Sequence, residues 1–391
     1  MTDTSRRELV KVLEERFGNR CKPYGKQRGP LATVLPVDAH EVEFLAETVR
    51  RYSVRLSPAG AGTDPDLPEP AGETVLAGTE MMRKVRFPDD GRSRVEVEPG
   101  VLWLELEDEL RSSHRALTVY PTSAPRATVG GWIARDGIGV GSFAYGWLRE
   151  NVLSVEIILP DGQLRTLEGD DLDLAVGAMG RTGVIVRATM KLRETKGDRP
   201  FAATYARPEA LQSTINSLLE RRPPLWHLGF MNPPMASAML SREEYLIFGA
   251  YPASGAAAAE SELAHALSES RGSPLDPAEA YRIWGGRFFP VAPARPTPAP
   301  GRVLVPASRI GAVIDNPRSG LTEPALLGSV ARDGSALVLT FASSGAEGRL
   351  QSLSAGDEAG LVGIARSVGG DLYHAVLKQR AELSSRTTPG Q

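Results

Sequence analysis

Cysteine is nearly absent from this 391-residue chain: Cys21 stands alone. One thiol cannot build a disulfide framework, a thiolate zinc site or an iron–sulfur cluster held by this chain alone, so Cys21 reads as a neutral, buried thiol. An excess of positive charge is missing as well. Lys and Arg total 45 against 48 Asp and Glu, a net charge of -3. No broad electropositive field is available to attract nucleic acid. Long apolar runs are missing too, and no stretch is suited to spanning a bilayer. The opening MTDTSRRELVKVLEERFG has no apolar signal core. The expected location is the cytoplasm.

What remains is a core-building composition, 41% hydrophobic and 24% charged, at a length that suggests two domains. The opening segment places Leu9, Val12, Leu13 and Phe17 on one helical face. A short strand over 31–35, a helix over 38–52 and a strand over 54–56 make a β–α–β opening. A strand over 94–98, a helix over 102–114 with leucines four apart, and strands over 116–120, 152–159 and 163–167 follow. Residues 183–192 alternate, with Val184, Val186, Ala188, Met190 and Leu192 on one face. The polar stretch ETKGDRP (194–200) breaks the pattern, and the domain boundary is expected there, giving domains 1–195 and 196–391. The second half has a helix over 256–269, strands over 302–306 and 336–342, and a helix over 308–314. Its Pro-rich segment PVAPARPTPAP reads as a surface loop.

Three glycine-rich loops stand out. PAGAGTD follows a strand, and Gly60 and Gly62 let main-chain N–H groups turn toward an anion, with Thr63 adding a hydroxyl. Pro65, Pro68 and Pro70 forbid the helix that a Rossmann loop opens into. If phosphate binds, a nest of backbone amides must hold it; alone, the loop reads first as an ordinary Gly/Pro turn. The segment PTSAPRATVGGWIARDGIGVGSFAYG holds six glycines, and GAMGRTGVIV places Gly180, Thr182 and Gly183 before an alternating strand. Three such loops abutting strands can converge on one extended cofactor.

PAGAGTD, VEVEPGV, ATVGGWIARDGIGVGSFAYG, VLSVEIILPDG and DLAVGAMGRTGVIVRATMKL occur in an order and spacing that resembles the FAD-binding domain of the vanillyl-alcohol oxidase and p-cresol methylhydroxylase (PCMH) superfamily, over residues 30–195. Within it the chain is most similar to glycolate oxidase and D-lactate dehydrogenase flavoprotein subunits. The resemblance implies an α+β fold: a two-lobed PCMH-type FAD-binding domain followed by a mixed α/β cap. It implies that Pro58, Ala59, Gly60, Ala61, Gly62 and Thr63 surround a pyrophosphate, with Asp64 beside them. Pro121, Thr128, Val129, Gly130, Gly131, Gly137, Gly141 and Tyr145 would line the FAD, and Gly183, Val184 and Ile185 would touch it. Ala61 replaces a glycine usual in the family. No His or Cys occupies the loop positions where some relatives attach the flavin, so the FAD is expected to be non-covalent.

In the cap, WGGRFFPV resembles a hydroxy-acid dehydrogenase segment. Arg287 can clamp a substrate carboxylate in a bidentate way, or serve as a structural arginine. The relatives' paired-histidine segment matches GSVARDGSALVLTF, where Ser329 and Leu337 replace the histidines and only Asp333 and Gly334 remain. No metal site is expected. His374 and His227 are the general-base candidates. Three readings follow: a flavin dehydrogenase taking hydride from a small 2-hydroxy acid; an accessory FAD subunit passing electrons to an iron–sulfur partner; and a binding module with a vestigial FAD domain.

Overall fold

The protein is described by a computed structural model over residues 2–24, 29–63, 73–88, 93–288, 299–314, 324–344 and 349–386. Helix Asp3–Phe17 starts at Thr2, whose hydroxyl accepts the Ser5 N–H, and buries Leu9, Leu13 and Phe17. Helix Ala39–Arg51 is capped by Asp38, which accepts the Glu41 N–H at 2.9 Å. Both cover a four-stranded sheet in the order Cys21–Pro23, Ala32–Val34, Thr74–Gly78, Arg55–Ala59. The last three strands are parallel, as the β–α–β pattern requires. Strand Arg55–Ala59 runs further than the sequence pattern predicts. Pro58 and Ala59, expected in the loop, pair with Ala77 and Gly78. Pro58 is tolerated because this is an edge strand.

The second lobe is a six-stranded antiparallel sheet around the long strand Val184–Glu194. That strand pairs with Val152–Ile158, Arg94–Val97 and Arg115–Leu117. The expected single-faced alternation breaks at an irregularity between Ile185 and Arg187. Val184 and Val186 pack with the first lobe, while Ile185, Ala188 and Met190 join the second lobe's core. An extra residue in one strand flips the side chains beyond it. Helix Trp103–Arg111 and helix Val129–Arg135 cover this core.

The third sheet has nine antiparallel strands. Its middle runs Asp198–Tyr205, Tyr245–Pro252, His227–Met231, Ala325–Val330, Ser335–Ser344, Gly301–Pro306. Successive residues point to opposite faces: Val303 and Val305 pack beneath helices Pro208–Arg221, Ala256–Ser270 and Ala355–Ser367, while Leu304 faces helices Pro233–Leu240, Pro277–Gly285 and Tyr373–Arg386. The second face also receives Ile138 and Trp147 from the second lobe. In return, Trp226 and Ala250 of the third sheet's region lie in the second lobe's core. Among the described residues, no helix is long and apolar enough to cross a membrane.

Candidate functional site

The first and third glycine loops meet where the two lobes join. A cleft is lined there by Pro58, Ala59, Gly60, Gly130, Gly131, Gly183 and Ile185. The approach is close. A methyl group on Gly60 would stand 2.7 Å from Thr128 Oγ1, and one on Gly180 would stand 2.5 Å from Pro58 Cγ. Gly180 has φ +69° and follows Met179 at φ +56°, a strained value for a side-chain-bearing residue.

The amides divide sharply. Those of Gly60, Ala61 and Gly62 donate no hydrogen bond among the described residues, and Gly60, Ala61 and Gly62 are exposed. Those of the second loop are already committed. Val129 N–H donates to Val101 O, Gly130 N–H to Pro99 O, and Gly131 N–H to the Thr128 hydroxyl at 3.3 Å. The reason is local. Thr128 caps a helix, Val129–Arg135, where the sequence suggests an open loop, because glycines disguise the helix. The Val129 and Val184 side chains are core residues, 0% and 1% exposed. Asp64 lies outside the described residues, and Thr63 follows Gly62 at the loop's end.

Pro121, Gly137, Gly141 and Tyr145 do not line this cleft. They belong to a neighbouring region between the second lobe and the third sheet. Tyr120 and Val140 form a lone antiparallel bridge, and Gly139 packs against Pro121. Gly141 N–H reaches His227 Nδ1 at 3.4 Å, and Tyr145 O accepts from the Asn151 side chain. Gly137 is close enough to the Tyr373 hydroxyl that no side chain fits between them.

Arg287 sits in this second region, buried at 5% exposure. Its Nε and Nη2 donate to the Tyr120 hydroxyl at 3.0 and 2.9 Å, and Nη1 donates to Trp284 O at 2.8 Å. The guanidinium lies between Trp284 and Phe288, 4.3 and 4.2 Å from their ring centres. Burial raises the Tyr120 hydroxyl to about 12, although Arg287 pulls the other way. Burial, then the Arg287 charge, pushes His227 down to about 3. His227 is therefore neutral at ordinary pH, and because its Nδ1 accepts the Gly141 amide, its proton is on Nε2.

The segment matching the relatives' paired histidines has a different task here. Asp333 accepts the Trp147 indole N–H at 2.9 Å, and Arg332 pairs with Glu150, so this turn ties the cap to the second lobe. Among the described residues no cluster of His, Cys, Asp and Glu could hold a metal. His374 lies on helix Tyr373–Arg386 with its Nδ1 buried and without a hydrogen bond among the described residues. No described contact joins it to Arg287 or His227.

Residues 30–168 match the family model described as "FAD binding domain". Residues 30–168 thus form an FAD-binding domain. It is 29% identical to the probable mitochondrial D-lactate dehydrogenase of Danio rerio, over 56% of this chain and 46% of that protein. It is 31% identical to the D-2-hydroxyglutarate dehydrogenase of Pseudomonas putida, over 44% and 18%, and 26% identical to glycolate oxidase subunit GlcD of Bacillus subtilis, over 57% and 49%. The chain thus spans less than half the length of each of these relatives. A solved alkyldihydroxyacetonephosphate synthase superposes on 98% of this chain and 85% of its own, with TM-score 0.72 and 17% identity. That likeness establishes the fold.

The residues of the FAD-binding domain fit its cofactor. A flat, anionic dinucleotide needs unhindered backbone and uncommitted donors: side chains are missing along the cleft at Gly60, Gly130, Gly131, Gly180 and Gly183, and the amides of Gly60 and of the two residues after it donate to no acceptor among the described residues. The sequence pattern did not reveal Arg135, Met179 and Leu174 in the lining. Arg135 was hidden by its glycine neighbours. Leu174 and Met179 arrive through a turn with no regular period.

Proposed function

We propose that this protein is an FAD-dependent oxidoreductase that removes a hydride from a small 2-hydroxy acid. The carrying observation is the cleft of bare glycines, beside amides at 60–62 that donate to no described residue. The relatives' names, D-lactate dehydrogenase, D-2-hydroxyglutarate dehydrogenase and glycolate oxidase subunit, support this substrate class. In this reading 1–195 is the cofactor domain and 196–391 the cap, a division supported by the change of sheet between Glu194 and Asp198. When bound, FAD supplies the electron-accepting ring. The chain supplies position and exclusion of water.

Arg287 is the proposed carboxylate anchor. A guanidinium has five N–H donors; three are engaged by Tyr120 and Trp284, leaving two for an acid. Tyr120 sets the plane of the fork, and His227 stays neutral beside it. The test is anaerobic addition of glycolate, D-lactate and longer 2-hydroxy acids to the purified yellow protein, followed by flavin absorbance. Bleaching supports the proposal.

A second reading is favoured by the same arginine: Arg287 already engages Tyr120 and is enclosed by aromatic rings. The chain would then be an accessory FAD subunit, transferring electrons to a partner that holds an iron–sulfur cluster, which one cysteine cannot ligate. Protein that is yellow but inert to every hydroxy acid supports this version. Colourless protein that takes up no flavin overturns both.

A further inference from the structure

One side of the cleft is a single stretch of chain. Leu174, Ala175, Ala178, Met179 and Gly180 all line it, and Leu174 ends the 3-10 turn Gly169–Leu174. Of the large apolar side chains left exposed among the described residues, Leu174, at 42%, is the one that lines this cleft. Beyond the turn the stretch is tied by its backbone. Gly177 N–H donates to Ile133 O at 3.1 Å and Met179 N–H to Ala134 O at 2.7 Å, both on helix Val129–Arg135. The turn itself is held from two sides. Leu172 is buried in the second lobe's core. On the other side, Arg149 Nε donates to Asp173 Oδ1 at 2.7 Å and its Nη2 to Gly169 O at 2.6 Å. A single guanidinium thus staples the start of the turn to its end.

Arg149 stands on a fixed base. Its own N–H donates to Asp136 Oδ1 at 2.9 Å. It belongs to the short 3-10 turn Leu148–Asn151, in which Glu150 accepts the Trp147 N–H and Asn151 donates to Trp147 O, both at 2.8 Å. The Trp147 side chain lies in the core of the third sheet. A planar guanidinium with two donors on two oxygens fixes direction as well as distance, which the point charge of a lysine does not. The Arg149 and Asp173 side chains are 25% and 28% exposed, so solvent weakens what the pair adds to overall stability. Its effect is to order a turn that would otherwise sample other conformations. A rim ordered before the ligand arrives spares that cost on binding.

We propose that Arg149 is a positioning residue for the cofactor: by clamping Gly169 and Asp173 it holds Leu174 at the rim of the cleft, where Leu174 covers bound FAD and slows its escape. The proposal rests on the reading that this cleft holds FAD. Arg149 does not line the cleft itself and acts through the turn.

The test uses the full chain loaded with FAD. Flavin release after dilution is followed by fluorescence, and the apo protein is melted alongside. Arg149→Met keeps the stem and removes the fork. It is expected to speed FAD release about 5- to 10-fold and to leave the apo melting temperature close to that of wild type. Leu174→Ala should speed release by a similar factor. In that background Arg149→Met should add little, because the residue it positions is gone. Arg149→Lys, which meets only one of the two oxygens, should fall between wild type and Arg149→Met. Should Arg149→Met fail to fold, Asp173→Asn removes the ion pair from the other side and takes its place in the same cycle. Unchanged release from the neutral variant overturns the proposal. So do effects of Arg149→Met and Leu174→Ala that multiply independently, which would show that Arg149 acts elsewhere. An apo melting temperature that falls as far as that of the FAD-bound protein also overturns it, because Arg149 would then be a general brace of the fold. Wild-type protein that retains no FAD overturns the underlying reading instead.

Discussion

At Gly60 one methyl group decides whether the two lobes can touch. Its nearest neighbour would be Thr128 Oγ1, the cap of helix Val129–Arg135. Gly60→Ala should therefore disturb that cap and lower stability by about 1 kcal/mol, with a loss of FAD affinity measurable by flavin release on dilution. At Gly180, φ +69° and the close Pro58 ring combine. Gly180→Ala should lower stability by about 1–3 kcal/mol in urea unfolding. Arg287→Met should keep its flavin while slowing bleaching by a hydroxy acid by about 100-fold or more; unchanged bleaching would remove Arg287 from the substrate site. The glycines of the cleft are legible in the sequence because a missing side chain is a local fact. Tyr120 is not, because its role comes from Arg287, more than 150 residues away along the chain.

Among elements, helix Trp103–Arg111 carries an unusual group. Glu107 is 2% exposed and accepts the Leu117 N–H at 2.8 Å. Burial pushes its carboxyl up from 4.5 to about 7, against the Leu117 amide and the Arg193 and Arg111 charges. The folded form thus keeps a proton that the unfolded chain releases. Relative to high pH, Glu107 contributes stability that is fully present below about 4.5 and is lost as pH rises through about 7. The loss amounts to about 3 kcal/mol. Glu107→Gln should flatten this fall, so that urea unfolding at pH 8 shows the variant more stable than wild type, while at pH 4 the gap closes. A parallel pH dependence in both proteins would show that Glu107 is not the titrating group. Element positions were legible wherever apolar spacing was strong, as in helix Ala39–Arg51. The helix at Val129 was concealed by two glycines, and the flip in strand Val184–Glu194 depends on its partner strand rather than its own pattern.

Across the whole molecule the cores are shared. Trp226 enters the second lobe, where Arg193 lies 3.8 Å from its ring centroid and Thr118 O accepts its indole N–H at 2.9 Å. Ile138 and Trp147 enter the core of the third sheet. Calorimetry should therefore give one unfolding transition with equal calorimetric and van't Hoff enthalpies; two separate transitions would contradict the shared cores. The α+β class was visible in the sequence, as was the change of pattern near residue 195. The shared cores were not, because a tryptophan just ahead of a strand gives no sign of which core it will enter. Trp226 also bears on how such proteins can be recombined. A cap borrowed from another flavoprotein and spliced in near residue 195 would arrive without the indole that fills the host's interior. It would leave a hole there and an unanswered carbonyl at Thr118, so successful chimeras should be those that transplant this plug with its socket.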